Sequence, residues 1–237
     1  SGGVWVGGWN GFLARLGADG RFERVVSREA LAASSVRALF EEADGTLLVG
    51  AWNGLYRVRA GRAERVPDRG LIRNARTVHV DREGAIWVGL EAEGLVRLRG
   101  GTARRFTTAD GLGGNEVRAL LEGPDGTLWV ATYGGLSRRT GESFTTLTTR
   151  NGLRSDLVRC LSLDAEGALW LGTAQGVRRW RGGKVERFGR GEGLCSDDAA
   201  ANAFWADPNG DVWLGMANGL VHFEARRDEG APPPPET

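Results

Sequence analysis

The sequence has almost no lysine, cysteine or methionine. Lys184 is its sole lysine, so arginine supplies nearly all of the 31 basic side chains, set against 30 carboxylates. A formal net charge of +1 excludes a whole-molecule field that would draw the chain onto nucleic acid or an anionic membrane. Cys160 and Cys195 are the only cysteines. They form no CxxC pair and are too few for a disulfide framework, although one disulfide stays open. No apolar run approaches the roughly 20 residues of a membrane-spanning helix, so no membrane insertion is expected. The 38 glycines show no G-X-Y period, which excludes collagen and implies frequent tight turns.

Catalytic and metal motifs are also missing. There is no GxxxxGK[ST] phosphate loop and no HExxH. His79 and His222 each fall on an expected strand with no Ser or Cys partner at motif spacing, so triad chemistry is unsupported. Each reads as a packed or surface histidine. DPNGD (Asp207 to Asp211) lacks the ligand series and terminal Glu of a calcium loop and reads as a turn. No cofactor, no metal and no enzymatic activity are expected.

What the chain has is a repeat. The strings GGVWVGGWNGF, GTLLVGAWNGL, GAIWVGLEAEGL, GTLWVATYGGL, GALWLGTAQGV and GDVWLGMANGL align on Trp5, Leu48, Trp87, Trp129, Trp170 and Trp213. The steps between these anchors are 43, 39, 42, 41 and 43 residues. Before each of the last five anchors an apolar stretch such as VRALFEEADG or VRALLEGPDG closes on an Asx-Gly-type turn. After each anchor come a Gly-Leu step, a third stretch such as LVRLR, and a fourth such as TARRFTT. Short strands with turns every eight to twelve residues mean an all-β architecture. A four-stranded unit repeated at about forty residues is a β-propeller blade. By the same period SREALAASSVRALFEE, helical on propensity, takes the place of TADGLGGNEVRALLEG and is expected as loop then strand. The anchor tryptophans are expected to fill space between blades.

These residues resemble a known family. The pattern V-x-x-I-x-x-D-x-x-G-x-L-W-[IV]-G-T-x-x-G-L, followed by a G-L-x-x-N step, is similar to the two-component regulator propeller repeat. It extends over essentially residues 1 to 226, and its best units are Val117 to Leu136 and Val158 to Val177. Gly111-Leu112 and Asn115 carry the inter-blade step. Leu48 stands for the Trp, Ala131 for the Gly, and the Thr survives only at Thr132 and Thr173. The resemblance implies a periplasmic sensor propeller of hybrid histidine kinases that binds a ligand, often a carbohydrate, and passes a signal to a kinase.

The expected domain is a single propeller over 1–227, with 228–237 (ending APPPPET) as a proline-rich tail or linker. The strand count is uneven: six anchor and six third strands, but five first and five fourth strands. Six blades with an irregular seam are expected. A fragment of a larger ring, or a five-bladed ring with spare strands, are the rivals, and self-association through unpaired terminal strands follows from the same count.

Because strands alternate in direction, loops entering the first strands and loops leaving the anchor strands share one face. That face holds Trp9, Trp52, Asn53, Glu91 to Glu93, Tyr133, Gln175 and Asn218, and function usually lives in such loops. Of DGTLWVATYGGL, only Thr132 and Tyr133 are expected to face a ligand. Arg37, Arg76, Arg118, Arg159 and Asn202 recur eight residues before the hairpin Gly, where they would ring the channel mouth. Guanidinium forks suit carboxylate, sulfate or phosphate, so a carbohydrate or small anionic ligand is expected. The plainer reading pairs each Arg with a neighbouring acid: Glu116, Asp156, Asp197 or Asp198. Two propeller enzymes share features. Sialidases need a Tyr nucleophile with a Glu partner, for which only Tyr133 and Glu116 are available, and streptogramin lyases need a catalytic His. A structural or interaction scaffold, including a truncated or engineered propeller with no ligand of its own, is the alternative function.

Overall fold

The computed structural model of the protein describes residues 4–32, 34–181, 184–207 and 210–224. The side chains of residues 201 and 202, and the 228–237 tail, lie outside the described residues. The strands form six antiparallel sheets in which neighbours follow chain order, one sheet per repeat. This is a six-bladed, all-β propeller.

Blade 1 comprises Trp5–Gly7, Leu13–Leu16 and Phe22–Arg24; blade 2 comprises Val36–Glu41, Leu47–Ala51, Gly54–Arg59 and Arg62–Arg65. Blade 3 is built from Ala75–Val80, Ile86–Leu90, Leu95–Arg99 and Thr102–Phe106, and blade 4 from Val117–Glu122, Leu128–Thr132, Gly135–Thr140 and Ser143–Leu147. Blade 5 has Val158–Leu163, Leu169–Thr173, Gly176–Arg181 and Lys184–Phe188; blade 6 has Ala199–Ala206, Val212–Met216 and Gly219–Phe223. Among the described residues the end blades are three-stranded, as the strand count anticipates. SREALAASS is a loop with a single 3-10 turn, Glu29–Leu31, before its strand starts at Val36.

First strands of successive blades lie against one another around the axis. The core sits between blades. Leu48 and Leu55 of blade 2 pack on Val78, Ile86 and Val88 of blade 3, and Trp87 and Phe106 of blade 3 pack with Val117, Leu128 and Val130 of blade 4. Trp129 meets Trp180 of blade 5 at 6.0 Å, and Trp170 meets Phe204 and Phe223 of blade 6 at 5.9 and 5.1 Å. The repeated Trp is therefore spacer and core together, each buried aromatic removing a large apolar area from water.

The hairpin turns opposite the loop face are held by their own carboxylates. Asp81 Oδ1 accepts from Glu83 N and Ala85 N, and Asp164 Oδ1 accepts from Glu166 N and Ala168 N. Their second oxygens accept the indole N–H of Trp87 (2.7 Å) and Trp170 (2.8 Å). One Asp thus fixes both the turn and the anchor rotamer, satisfying a buried donor that would otherwise be costly. In DPNGD the same bond runs from Asp211 N to Asp207 Oδ1 (3.0 Å).

Candidate functional site

The two loop classes meet, joined by a hydrogen bond that recurs from blade to blade. Trp52 N donates to Ser35 O, Glu91 N to Asn74 O, Tyr133 N to Glu116 O, Ala174 N to Leu157 O and Ala217 N to Asp198 O. Blades 2 to 6 so present one residue from the anchor-strand exit beside the entry to the first strand.

Next to that bond every four-stranded blade carries a β-bulge. Val36 and Ala38 oppose the consecutive residues Ala51 and Gly50, and the same shift occurs at Ala75/Thr77, Val117/Ala119 and Val158/Cys160. The extra residues are Arg37, Arg76, Arg118 and Arg159. A bulge leaves one residue without a ladder partner and re-aims its side chain, so the recurrence seen in the sequence is a recurrence of backbone geometry. In blade 6 the irregularity is longer, between Ala199 and Phe204, and takes in Asn202, whose side chain lies outside the described residues.

The four guanidiniums do not stand free. Arg37 and Arg76 converge on one carboxylate, Glu91, with Arg76 Nη2 donating to Oε1 at 2.9 Å, and Arg37 also donates to Asn74 Oδ1 (3.1 Å). Arg118 pairs with Glu116, and Arg159 lies 2.6 Å from Asp198 Oδ1 while donating to Ala199 O. The plainer expectation therefore holds at Glu116 and Asp198. It fails at Asp156 and Asp197, which instead cap backbone amides of Thr149 and Arg190. The donors are only partly used: the Nε of Arg76, Arg118 and Arg159 is buried without a hydrogen-bond partner. Arg37 and Arg76 hold the Glu91 carboxyl below its usual range; burial, with Arg76 nearby, pushes Arg118 down.

Aromatic rings back this network. The Arg37 guanidinium carbon is 5.4 Å from the Trp52 ring and that of Arg118 is 3.8 Å from Tyr133. Trp52 is 55% exposed and Trp9, at the same repeat position in blade 1, is 80% exposed. Asn53 donates its backbone N–H to Ser34 Oγ and keeps a buried Oδ1 without a partner. Asn218 is an exposed loop residue of blade 6, and Gln175 an exposed one of blade 5, where it borders a separate cavity. Thr132 corrects the sequence reading. It is fully buried, donates to Gly135 O and accepts from Gly134 N, so it shapes the loop and cannot face a ligand. Sequence reasoning treated Glu91 as one of several variable loop residues. Its signal was its place, since it occupies the position held by Trp9, Trp52 and Tyr133 in other blades.

Both histidines lie towards the opposite, hairpin side. His79 pairs in register with Trp87 near the Asp81 turn, and His222 Nε2 is 3.0 Å from Asp211 Oδ2. Among the described residues no group of three or more His, Cys, Asp or Glu could hold a metal ion.

The sequence model of the two-component regulator propeller matches residues 111–134 and 152–175. Two of the six repeats thus match the two-component regulator propeller. The matched repeats hold Glu116, Arg118 and Tyr133 in one and Arg159 and Gln175 in the other. No curated protein matches the sequence significantly. Among solved structures, the extracellular domain of a putative hybrid two-component system, BT3049 of B. thetaiotaomicron, superposes with a TM-score of 0.84 at 20% identity. That match covers 95% of this chain and 32% of the other, so the propeller described here spans about a third of that domain. PorZ, a surface component of the type-IX secretion system of Porphyromonas gingivalis, gives a TM-score of 0.73 at 15% identity over 93% of this chain and 37% of its own. A catalytically inactive H270A virginiamycin B lyase from Staphylococcus aureus gives 0.69 at 14%, over 90% and 73%. At these identities the likenesses show a shared propeller fold and nothing finer.

Proposed function

We propose that this regulator propeller is a non-catalytic, ligand-binding module of sensor type that recognises a carbohydrate, neutral or acidic, on its loop-rich face. The observation that carries the reading is the bulged arginine repeated in four adjacent blades and backed by Trp52 and Tyr133. Four guanidiniums face three carboxylates there, so charge is nearly balanced and donors alternate with acceptors. Such a surface suits hydroxyls that both give and accept hydrogen bonds, with exposed Trp9 and Trp52 available to stack on sugar rings. An extracytoplasmic, periplasmic site of action accompanies this reading, and the extracellular-domain neighbour supports it. A lyase-type reading lacks support because His79 and His222 sit away from the loop face. A sialidase-type reading lacks it because Glu116 is engaged by Arg118, which also covers Tyr133.

The test is a glycan array of neutral and acidic oligosaccharides, followed by calorimetry on the hits. Arg37→Ala with Arg118→Ala should weaken binding by at least about a hundredfold, since hydrogen bonds to charged groups contribute about 1.5–3 kcal/mol each. A blank array, or unchanged affinity in the folded double variant, overturns the reading. The scaffold alternative also has an observation behind it, because Arg37–Glu91 and Arg159–Asp198 each bridge two blades. Unfolding of the double variant would favour it. Exposed Val4, Val6 and Phe22 on blade 1 and Trp205 and Leu220 on blade 6 support self-association through the end blades. A light-scattering mass that stays monomeric as concentration rises would remove that part of the proposal.

A further inference from the structure

Blade 5 departs from its siblings at one interior position. In the third strand, the residue opposite the centre of the anchor strand is Ala14, Tyr56, Val96, Ser137 and Val221 in blades 1, 2, 3, 4 and 6. In blade 5 it is Arg178, only 7% exposed. Directly across the next ladder sits Arg187. Like charges opposed on a sheet destabilise it, and a buried cation without a counter-charge costs more.

In blades 2 and 3 the outer arginine is neutralised. In blade 3 Arg105 pairs with Glu93 at 2.7 Å, and in blade 2 Arg65 lies 3.9 Å from Asp68. The matching positions in blade 5 are Gln175 and Arg190, so both acids are gone. Blade 4 solves the same spot with a neutral pair, Ser137 Oγ to Thr146 Oγ1 at 2.8 Å. Arg178 donates one bond, to Gly152 O, and no carboxylate reaches Arg154, Arg178 or Arg187 among the described residues. The three border a cavity of about 570 Å³, of a size that holds small ligands. The two acids on its wall are occupied: Glu192 accepts from Gly189 N, and Asp197 accepts from Arg190 N. Burial and the charges of Arg187 and Arg154 push Arg178 below its ordinary value, as expected for guanidiniums left uncompensated.

We propose that the cavity of blade 5 is an oxyanion-binding site in which Arg154, Arg178 and Arg187, with Gln175 at the rim, hold a sulfate or phosphate group. Planar guanidinium forks match such oxygens, and their weak hydration makes them the cations suited to partial burial. The site is separate from the bulge arginines and stands whether or not those bind a sugar.

The experiment follows melting temperature and calorimetric heat on titration with sodium sulfate, sodium phosphate, N-acetylglucosamine 6-sulfate and glucose 6-phosphate. Sodium chloride at matched ionic strength and the unmodified sugars serve as controls. The wild type should show a saturable rise with the oxyanions and none with chloride. Salts inorganic and organic alike giving the rise would mean a free anion is enough; the esters alone giving it would assign an esterified sugar, and both support the site. Arg178→Ser with Arg187→Thr installs blade 4's own pair. It should abolish the response and melt higher than wild type in chloride. Should that variant fail to fold, Arg154→Ala, in an exposed loop, should weaken binding at least tenfold. A wild type with no saturable response, or folded variants that respond like wild type, would overturn the proposal.

Discussion

The guanidinium carbon of Arg118 sits 3.8 Å from the centroid of the Tyr133 ring, the shortest such separation described among the arginine–aromatic pairs of this propeller. Arg118 is buried and bulged out of its ladder, so the ring offers it a partner that water does not. Cation–π contacts contribute about 2 kcal/mol when desolvated. Tyr133→Ala should therefore lower the melting temperature by about 4–8 °C, taking roughly 2–4 °C per kcal/mol for a chain of this size. Tyr133→Phe keeps the face of the ring and should stay near wild type. Equal losses in the two variants would show that the phenol, and not the ring face, matters.

The indole–carboxylate bonds invite a sharper cut. Removing Asp81 by Asp81→Ala orphans the Trp87 N–H and two turn amides at once. A buried donor left unpaired costs about 1–3 kcal/mol, so chemical denaturation should report a loss in or above that range. Asp44→Ala, in a turn whose exposed Asp accepts from Thr46 N and lies 3.6 Å from exposed Arg59, should cost less.

Acid should act through Asp164. Burial alone would raise its carboxyl, but the Trp170 indole, Ala168 N and Arg179 outweigh burial and hold it below the ordinary value of 3.8. A carboxylate depressed in the folded state lends stability that is present above the unfolded value and lost as pH falls through the folded one. Stability should thus decline from about pH 4 downward, and Asp164→Asn should flatten that decline while lowering stability at neutral pH. An unchanged slope would count against it.

His79 predicts a second, milder dependence. Desolvation beneath Phe40 pushes it below its ordinary 6.5, although Glu122 lies 3.6 Å away. A base whose charged form is disfavoured by folding takes its proton more readily when unfolded. Stability should then fall as pH drops from about 6.5. His79→Gln should remove that component between pH 7 and 5, measured by denaturant titration at each pH.

The cysteines should separate cleanly by reactivity. Cys160 is buried and its thiol is pushed up to about 12, whereas Cys195 is exposed. A thiol reagent should modify one cysteine in the native protein and the second only on unfolding. Two fast equivalents would contradict the packing of Cys160 against Gly172.

Blade number, strand order and the role of the tryptophans were legible because one motif recurs six times, and repetition averages out local ambiguity. SREALAASSVRALFEE shows it: helical by composition, loop then strand by position. The arginine positions were legible too, but not their bulge, because a bulge is one residue out of step and leaves no mark on period. Partner choice was half legible. Glu116 neighbours Arg118 in the chain, while Glu91 and Asp198 reach Arg37 and Arg159 from the next blade. Thr132 misled because a loop residue beside Tyr133 looks exposed until its hydroxyl is seen to close the turn at Gly135. Arg178 escaped notice for the opposite reason: a lone substitution at a buried position is visible only once the register of all six third strands is known.

The bulges carry one further consequence. A residue without a ladder partner can be exchanged without changing who pairs with whom on either side of it. Positions 37, 76, 118 and 159 are thus variable letters set in a fixed frame. Libraries randomised there alone should keep the ladder register of each blade while changing the chemistry of the loop face, a division of labour between scaffold and surface that resembles an antibody's more than an enzyme's.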